Sequence, residues 1–278
     1  MPDFSISAVI PSYNRIETLP RAIESVLAQT HPADEIIVVD DGSNDGTASF
    51  LQASYPQIKV ITQANQGVSS ARNRGIKASA CQWVALLDSD DAWMPEKLAK
   101  QVTALRNSPD SLICHTEEKW IFRGNERPVA KEYRKRGGWI FEQSVERCSI
   151  SPSSTVMSRS LFDELGYFDE SFPFCEDYDL WLRITSRYET LLVSEALTIK
   201  HGGHPDQLSA NRELDRYRIF ALQKILESQS LSSDQIEIAR TALLEKCAIY
   251  RKGLVKYGRD DELSLIDRIA EKHTNPID

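Results

Sequence analysis

Glu35-Ile36-Ile37-Val38-Val39-Asp40-Asp41-Gly42-Ser43-Asn44-Asp45-Gly46 is the stretch that decides the fold. Its first half is β-branched and apolar on both faces, as a central parallel strand covered by helices should be. Its second half is dense turn chemistry and leads into a helix running to about Ala53. The same strand-helix unit recurs on either side. Upstream, Ile6 to Ile10 is a short apolar run cut off by Pro11. Ile16, Leu19, Ile23, Val26 and Leu27 then follow at helical spacing until His31-Pro32 stops them. Downstream, Lys59 to Thr62 reads as a third strand. Val68 to Ala80 reads as a helix whose Ala71, Gly75 and Ala78 share one face, letting its backbone approach the sheet. Trp83 to Leu87 is a fourth strand that ends abruptly in acid. Pro95 suits the first turn of the next helix, which carries Leu98, Val102 and Leu105.

Repeated units of this kind predict an α/β fold with a mostly parallel, Rossmann-like central sheet and helices on both faces. Ligands of such sheets bind beyond the carboxyl ends of the strands. Asn14-Arg15, Asp40-Asp41, Asn65-Gln66-Gly67 and Asp88-Ser89-Asp90-Asp91 are therefore predicted to face one cleft. The middle of the chain is less regular. Strands are expected over 111–123, then a polar loop from Glu126 to Gly138 with Lys131, Arg134, Lys135 and Arg136, and a short helix from Trp139. A strand near Thr155 to Met157, a helix closed by Gly166, a helix from Glu176 to about Tyr188 and a strand from Thr190 to Lys200 follow. From Pro205 onward the pattern is a C-terminal helical extension with Leu214, Tyr217, Phe220, Ala221 and Ile225 as its stripe.

The 278 residues, 41% hydrophobic, can bury a sizeable core. Acidic residues outnumber basic ones, 41 to 33, for a formal net charge of -8. That balance argues against a general nucleic-acid binder, whose affinity comes from clustered Lys and Arg. No leader-like segment and no apolar run of membrane-spanning length is evident. Cys81, Cys114, Cys148, Cys175 and Cys247 are odd in number, scattered and free of CxxC pairs, which predicts free thiols in a reducing cytoplasm.

The acids after the fourth strand carry the strongest chemical signal. Two carboxylates ~4 Å apart repel by roughly 4 kcal/mol at an effective dielectric of ~20. Asp88, Asp90 and Asp91 in one cleft mouth therefore call for a cation or a raised pKa. Oxygen ligands favour Mg²⁺ or Mn²⁺. A solvated loop is the alternative; a helix cap fits less well, because Pro95 as first helical residue would put Met94 in the capping place. No GxGxxG or GxxxxGK[ST] nest is present to cradle phosphates. A bound nucleotide diphosphate would need a metal and basic side chains, with Arg72 and Arg15 as candidates, though each also reads as a solvated helix or loop residue. Asp41 reads either as a turn residue or as a partner for a base or ribose. Asp177 shares a helical face with Trp181, Ile184 and Tyr188, while Glu176 and Asp179 lie off it. That predicts an inward Asp177 able to act as a base, against the simpler reading of an acid favoured by the helix dipole. His201 and His204, in His201-Gly202-Gly203-His204-Pro205-Asp206, are the histidines placed for a site, each also readable as structural.

Together these segments resemble the family 2 inverting glycosyltransferases with the GT-A fold. The resemblance is carried, in order, by Val9-Ile10-Pro11-Ser12-Tyr13-Asn14-Arg15, Val38 to Thr47, Ala71-Arg72-Asn73-Arg74-Gly75, Leu86-Leu87-Asp88-Ser89-Asp90-Asp91 and Glu176 to Arg183, and it spans residues 5 to 209. It implies a GT-A domain over 1–204, with a nucleotide-sugar-binding half (1–110) and an acceptor-side half (111–204), followed by the helical extension 205–278. It implies that Pro11 and Tyr13 surround the base and that Asp41 hydrogen-bonds it. Asp88-Ser89-Asp90 looks like the family's DxD motif, with Asp88 near ribose and metal and Asp90 the direct ligand of Mn²⁺ or Mg²⁺. Asp177 looks like the general base, and His204 resembles a histidine that helps hold metal or diphosphate. The implied donor is a UDP-sugar or another nucleotide-diphosphate sugar. The implied acceptor is a glycan, a lipid-linked glycan or another hydroxyl compound of surface polysaccharide or glycolipid assembly. Peripheral contact with the inner face of the membrane and a homodimer through the tail stay open. Two other readings remain: a non-catalytic sugar-nucleotide sensor or assembly partner on the same fold, and a sugar-phosphate nucleotidyltransferase. The latter is disfavoured because no glycine-rich loop follows the first strand.

Overall fold

The computed structural model describes residues 4–130, 133–203, 213–259 and 261–274. The donor-side half runs β1 (Ile6–Ser12), α1 (Leu19–Leu27), β2 (Glu35–Asp40), α2 (Thr47–Ser54), β3 (Lys59–Thr62), α3 (Val68–Ala78), β4 (Trp83–Leu86), β5 (Ala92–Trp93) and α4 (Lys97–Asn107). Next come β6 (Ile113–Phe122), β7 (Asn125–Arg127), α5 (Phe141–Glu146), a 3-10 turn (Pro152–Ser154), β8 (Val156–Ser158), α6 (Ser160–Leu165), α7 (Glu176–Thr185) and β9 (Leu191–Gly202). The chain closes with α8 (Leu214–Glu227), α9 (Ser233–Tyr257) and α10 (Leu263–Thr274). Helix α4 begins at Lys97 rather than Pro95, because Pro95 and Glu96 form the turn ahead of it. In α8 the buried stripe is Ile219, Ala221, Leu222 and Ile225, displaced from the expected one, so Leu214, Tyr217 and Phe220 are only half-buried.

The strands form one sheet in the order β3-β2-β1-β4-β8-β6-β9-β5, with β7 on β6. The first four are parallel. Strand β8 is antiparallel to both neighbours, which leaves β6 and β9 running with β1. Pro11 sits inside the central strand without breaking it. The Leu87 N–H donates to the Val9 carbonyl at 3.0 Å, and pairing of β1 with β4 ends there. Two residues on, Pro11 faces the same side, where no ladder bond needs its missing N–H. The two-residue β5, invisible in the sequence, pairs Ala92 with Ile199 and Trp93 with Thr198. That pairing sets Asp91 beside Lys200.

Gly75 behaves as its face on α3 predicted. A Cβ there would lie 2.4 Å from Val9 Cγ1 and 3.2 Å from Val39 Cγ2, both on stiff, fully buried side chains of the sheet. Gly75→Ala is expected to destabilise the fold by about 1–3 kcal/mol through overpacking, read by urea denaturation. A loss below 0.5 kcal/mol would mean that α3 can move off the sheet at little cost.

Two cores flank the sheet and a third joins the tail to it. One packs α1, α2 and α4 against Ile6, Ala8, Ile10 and Val38; the other packs α3, α6 and α7 against Val9, Ile37, Val39 and Leu86. The third unites Phe141, Tyr178 and Leu182 with Ile219, Leu243 and Ile266, so the tail's apolar side is spent on α5 and α7. The expected 204/205 domain boundary lies outside the described residues.

Candidate active site

Three of the four segments predicted to share a cleft are knitted together. The Asn14 N–H donates to Ser43 Oγ at 2.8 Å, and the Asn44 N–H donates to Asn14 Oδ1 at 2.9 Å. Asp41 is 3% exposed and accepts from the N–H groups of Gln66 (2.9 Å) and Gly67 (2.8 Å) and from Gln63 Nε2 (2.7 Å). A Cβ on Gly42 would sit 2.9 Å from the Asn65 nitrogen, so only glycine lets the two loops close on each other. Asp41 is thus an organiser of the 63–67 loop, with one carboxylate lone pair, on Oδ2, left over for a ligand. Pro11 is buried in β1, Tyr13 is 46% exposed at the cleft mouth, and Arg15 is half-buried, its charge favouring ionised Asp90.

Arg72 is not a solvated helix residue. It is 4% exposed, and its guanidinium joins Asp88 Oδ1 at 2.7 Å to Glu176 Oε1 at 2.5 Å. This bridge ties the donor-side acids to the start of α7. Burial pushes the Asp88 carboxyl upward, but Arg72 and Lys200 outweigh it and hold it down to about 2. For Glu176 burial wins over Arg72, and its carboxyl rises to about 7.

Sequence reasoning missed Lys200. Its Nζ lies 2.6 Å from Asp91 Oδ2 and 3.5 Å from Asp88 Oδ2. Only the β5–β9 pairing brings it there, and no spacing rule links residues 91 and 200. Asp91, fully buried, also accepts from Ser153 Oγ at 2.6 Å and from the His201 N–H at 3.1 Å. It therefore fastens the acidic loop to β9 and is not available as a ligand. Ser153 meanwhile accepts the Asp88 N–H at 3.1 Å. Ser89 is buried. Asp90 keeps a raised carboxyl through burial and the Asp88 charge. The Asp90 carbonyl, not its carboxylate, accepts from Arg21.

These donors fit Mg²⁺ or Mn²⁺. Asp88 and Asp90 offer hard carboxylate oxygens, and the charge of one raises the pKa of the other, which a divalent ion would relieve. Among the described residues no group of three or more His, Cys, Asp or Glu is arranged around a common point. One or two carboxylates plus substrate phosphates is the usual Mg²⁺ arrangement, so the fit does not need a third acid. His204 lies outside the described residues.

At α7 the expected orientation is corrected. Glu176 and Asp179 are 5% and 2% exposed, while Asp177 is only half-buried. Tyr178 and Leu180 to Leu182 are all buried, so α7 has almost no solvent side against which an inward stripe could stand out. Glu176 is committed to Arg72, and Asp179 to Arg183 (2.7 Å) and Lys224 (2.9 Å). Asp177 receives the Tyr178 N–H at 2.7 Å and the Cys148 thiol at 3.2 Å. Burial, then the Asp177 charge, push the Cys148 thiol well up, so it stays protonated and donates.

The glycosyl transferase family 2 model matches residues 7–166. The chain belongs to that family. An Escherichia coli relative, UDP-Glc:alpha-D-GlcNAc-diphosphoundecaprenol beta-1,3-glucosyltransferase WfgD, is 32% identical over 188 residues, covering 66% of this chain and 71% of the relative. An uncharacterized glycosyltransferase of Rickettsia bellii is 33% identical over 187 residues, covering 66% of this chain but 27% of the relative. The match likewise takes in 31% of the Rickettsia felis protein, so the chain corresponds to under a third of the length of these two relatives. Residues 1–349 of S. aureus TarS in complex with UDP-GlcNAc share the fold at a TM-score of 0.69 and 18% identity, over 87% of this chain and 71% of that one. In this chain Asp88, Arg72 and Glu176 at the start of α7 are joined by two ion pairs. No described helix is long and apolar enough to cross a membrane.

Proposed function

We propose that the protein is a metal-dependent, inverting glycosyltransferase that uses a nucleotide-diphosphate sugar, a UDP-sugar first, and delivers the sugar to a hydroxyl of a surface-glycan or lipid-linked acceptor. The observation that carries this reading is the Arg72 bridge. It joins Asp88, on the donor side, to Glu176, whose neighbour Asp177 is the acid of α7 left without a cationic partner among the described residues. The UDP-GlcNAc and UDP complexes of TarS support the donor class, and the diphosphoundecaprenol in the name of WfgD supports a lipid-linked acceptor. Residues 1–110 would supply the donor side and 111–204 the acceptor side, with helices α8 to α10 bracing α5 and α7. A cytoplasmic setting at the membrane's inner face is part of the same proposal and accords with five free cysteines.

In this reading Tyr13 packs on the base, Asp41 meets it with its remaining lone pair, and Arg15 approaches the diphosphate. Asp90 and Asp88 would hold Mg²⁺ or Mn²⁺, which as a Lewis acid supplies stabilisation of negative charge on the leaving diphosphate. Asp177 takes the proton of the acceptor hydroxyl as that oxygen attacks the anomeric carbon from the face opposite the diphosphate. A reactive complex requires it within ~3 Å of that oxygen. One displacement inverts the centre.

The test is calorimetric titration of UDP, GDP, CDP and dTDP with and without Mn²⁺. One nucleotide is expected to bind with metal, and Asp90→Ala to lose the metal-dependent part, at least about tenfold in affinity. Equal binding without metal, or by the variant, would overturn the role given to Asp90.

A further inference from the structure

Beyond the donor acids lies a cavity of about 530 Å³ with a basic lining: Arg134, Lys135, Arg136 and Arg147, against Glu142 and Glu146. Arg134 and Arg136 are exposed, and no carboxylate of the described residues pairs with either guanidinium. Lys135 is held 3.1 Å from Glu118, whose other oxygen accepts the Trp120 indole N–H at 3.0 Å. One buried carboxylate therefore fixes both a cation of the cavity and an aromatic ring beside it. Trp120 (40% exposed) and Tyr133 (54%) lie with ring centroids 6.2 Å apart, and Trp139 is 64% exposed. Single exposed aromatics need no explanation, but a Trp120–Tyr133 pair whose Tyr133 ring lies 5.7 Å from the Arg147 guanidinium of the cavity does. Arg147 directly precedes Cys148, whose thiol donates to Asp177. One lining residue of the cavity is thus next in sequence to the thiol that meets the proposed base.

We propose that this cavity binds a phosphate or diphosphate group carried by the acceptor, whose saccharide stacks on Trp120 and Tyr133. The proposal rests on the transferase reading above. Guanidinium forks match phosphate oxygens in pairs, and aromatic faces offer apolar area to a sugar ring. A flat anionic membrane surface fits less well, because the cations line a concavity.

The test is titration with inorganic pyrophosphate and with geranyl diphosphate, the donor site filled with UDP and Mg²⁺, on wild type and the Arg134→Gln/Arg136→Gln double variant. Both substitutions are on exposed residues, and Lys252→Gln on α9 serves as a surface control. One saturable diphosphate site is expected, about tenfold or more weaker in the double variant, with UDP affinity unchanged in all three. Tighter binding of geranyl diphosphate than of pyrophosphate would assign a lipid-linked acceptor, and equal binding a soluble phosphosaccharide. Unchanged diphosphate affinity in the double variant, or no such site, overturns the proposal. So does binding to phosphatidylglycerol vesicles that the double variant loses while no diphosphate site exists. If wild type binds no UDP, the transferase reading falls by itself, and pyrophosphate titration without nucleotide still decides whether the cavity takes diphosphate.

Discussion

Asp177→Asn is expected to lower the rate of sugar transfer by about 10²–10⁴-fold, the usual worth of a general base, while leaving UDP affinity and folding close to wild type. The resemblance to the family implies this acid as the base, and its two acidic neighbours in the same helix turn are engaged elsewhere. Glu176 is spent on Arg72, and Asp179 on Arg183 and Lys224. Asp177 accepts only an N–H and a thiol among the contacts described, both weak competitors for a proton. Asparagine keeps the shape and the hydrogen-bond acceptor but cannot take up the acceptor's proton. Single-turnover transfer with saturating donor would show the loss in kcat. A variant that transfers at the wild-type rate would remove Asp177 from the mechanism.

Arg72→Met is expected to cost about 3–5 kcal/mol of folding stability, the toll for stranding buried charges. That is a large share of the ~5–15 kcal/mol available to a typical domain. The guanidinium is the only cation that holds Glu176 through an ion pair among the described residues, and one of two that hold Asp88. Without it the Glu176 carboxyl, already raised to about 7, moves up further and takes a proton. Guanidinium denaturation should report the loss, and Arg72→Met/Glu176→Leu should recover part of it by removing one stranded acid. UDP binding should weaken in both, because Asp88 keeps only Lys200. A cost below 1 kcal/mol for the single variant would show that the bridge is incidental to the fold.

The parallel half of the sheet was legible because each strand announces itself locally. Lys59 to Thr62 is flanked by turn residues, and Gly75 stands where a helix must touch a strand. The acids were legible too, since a run of carboxylates after an apolar strand is electrostatically conspicuous. What escaped depended on contacts between distant segments. Strand β5 is too short for any periodicity, yet it alone sets Lys200 against Asp91. Arg72 could be named but not placed, because its burial is created by Glu176, 104 residues away. The inward face of α7 was misjudged since a helix packed on nearly every side has no single stripe to read.

One core carries a consequence for how such proteins change their acceptors. Val9, Ile37 and Leu86 pack in the same cluster as Ile150, Trp181 and Ile184, across the 110/111 line between the proposed donor and acceptor halves. A gene recombined at that line would inherit two surfaces cut to fit different partners, along with an Arg72 that needs an acid at 176. Exchange of whole halves is therefore a poor route to new specificity. Piecemeal drift in the 133–147 segment, which leaves that interior intact, is the cheaper path for descent.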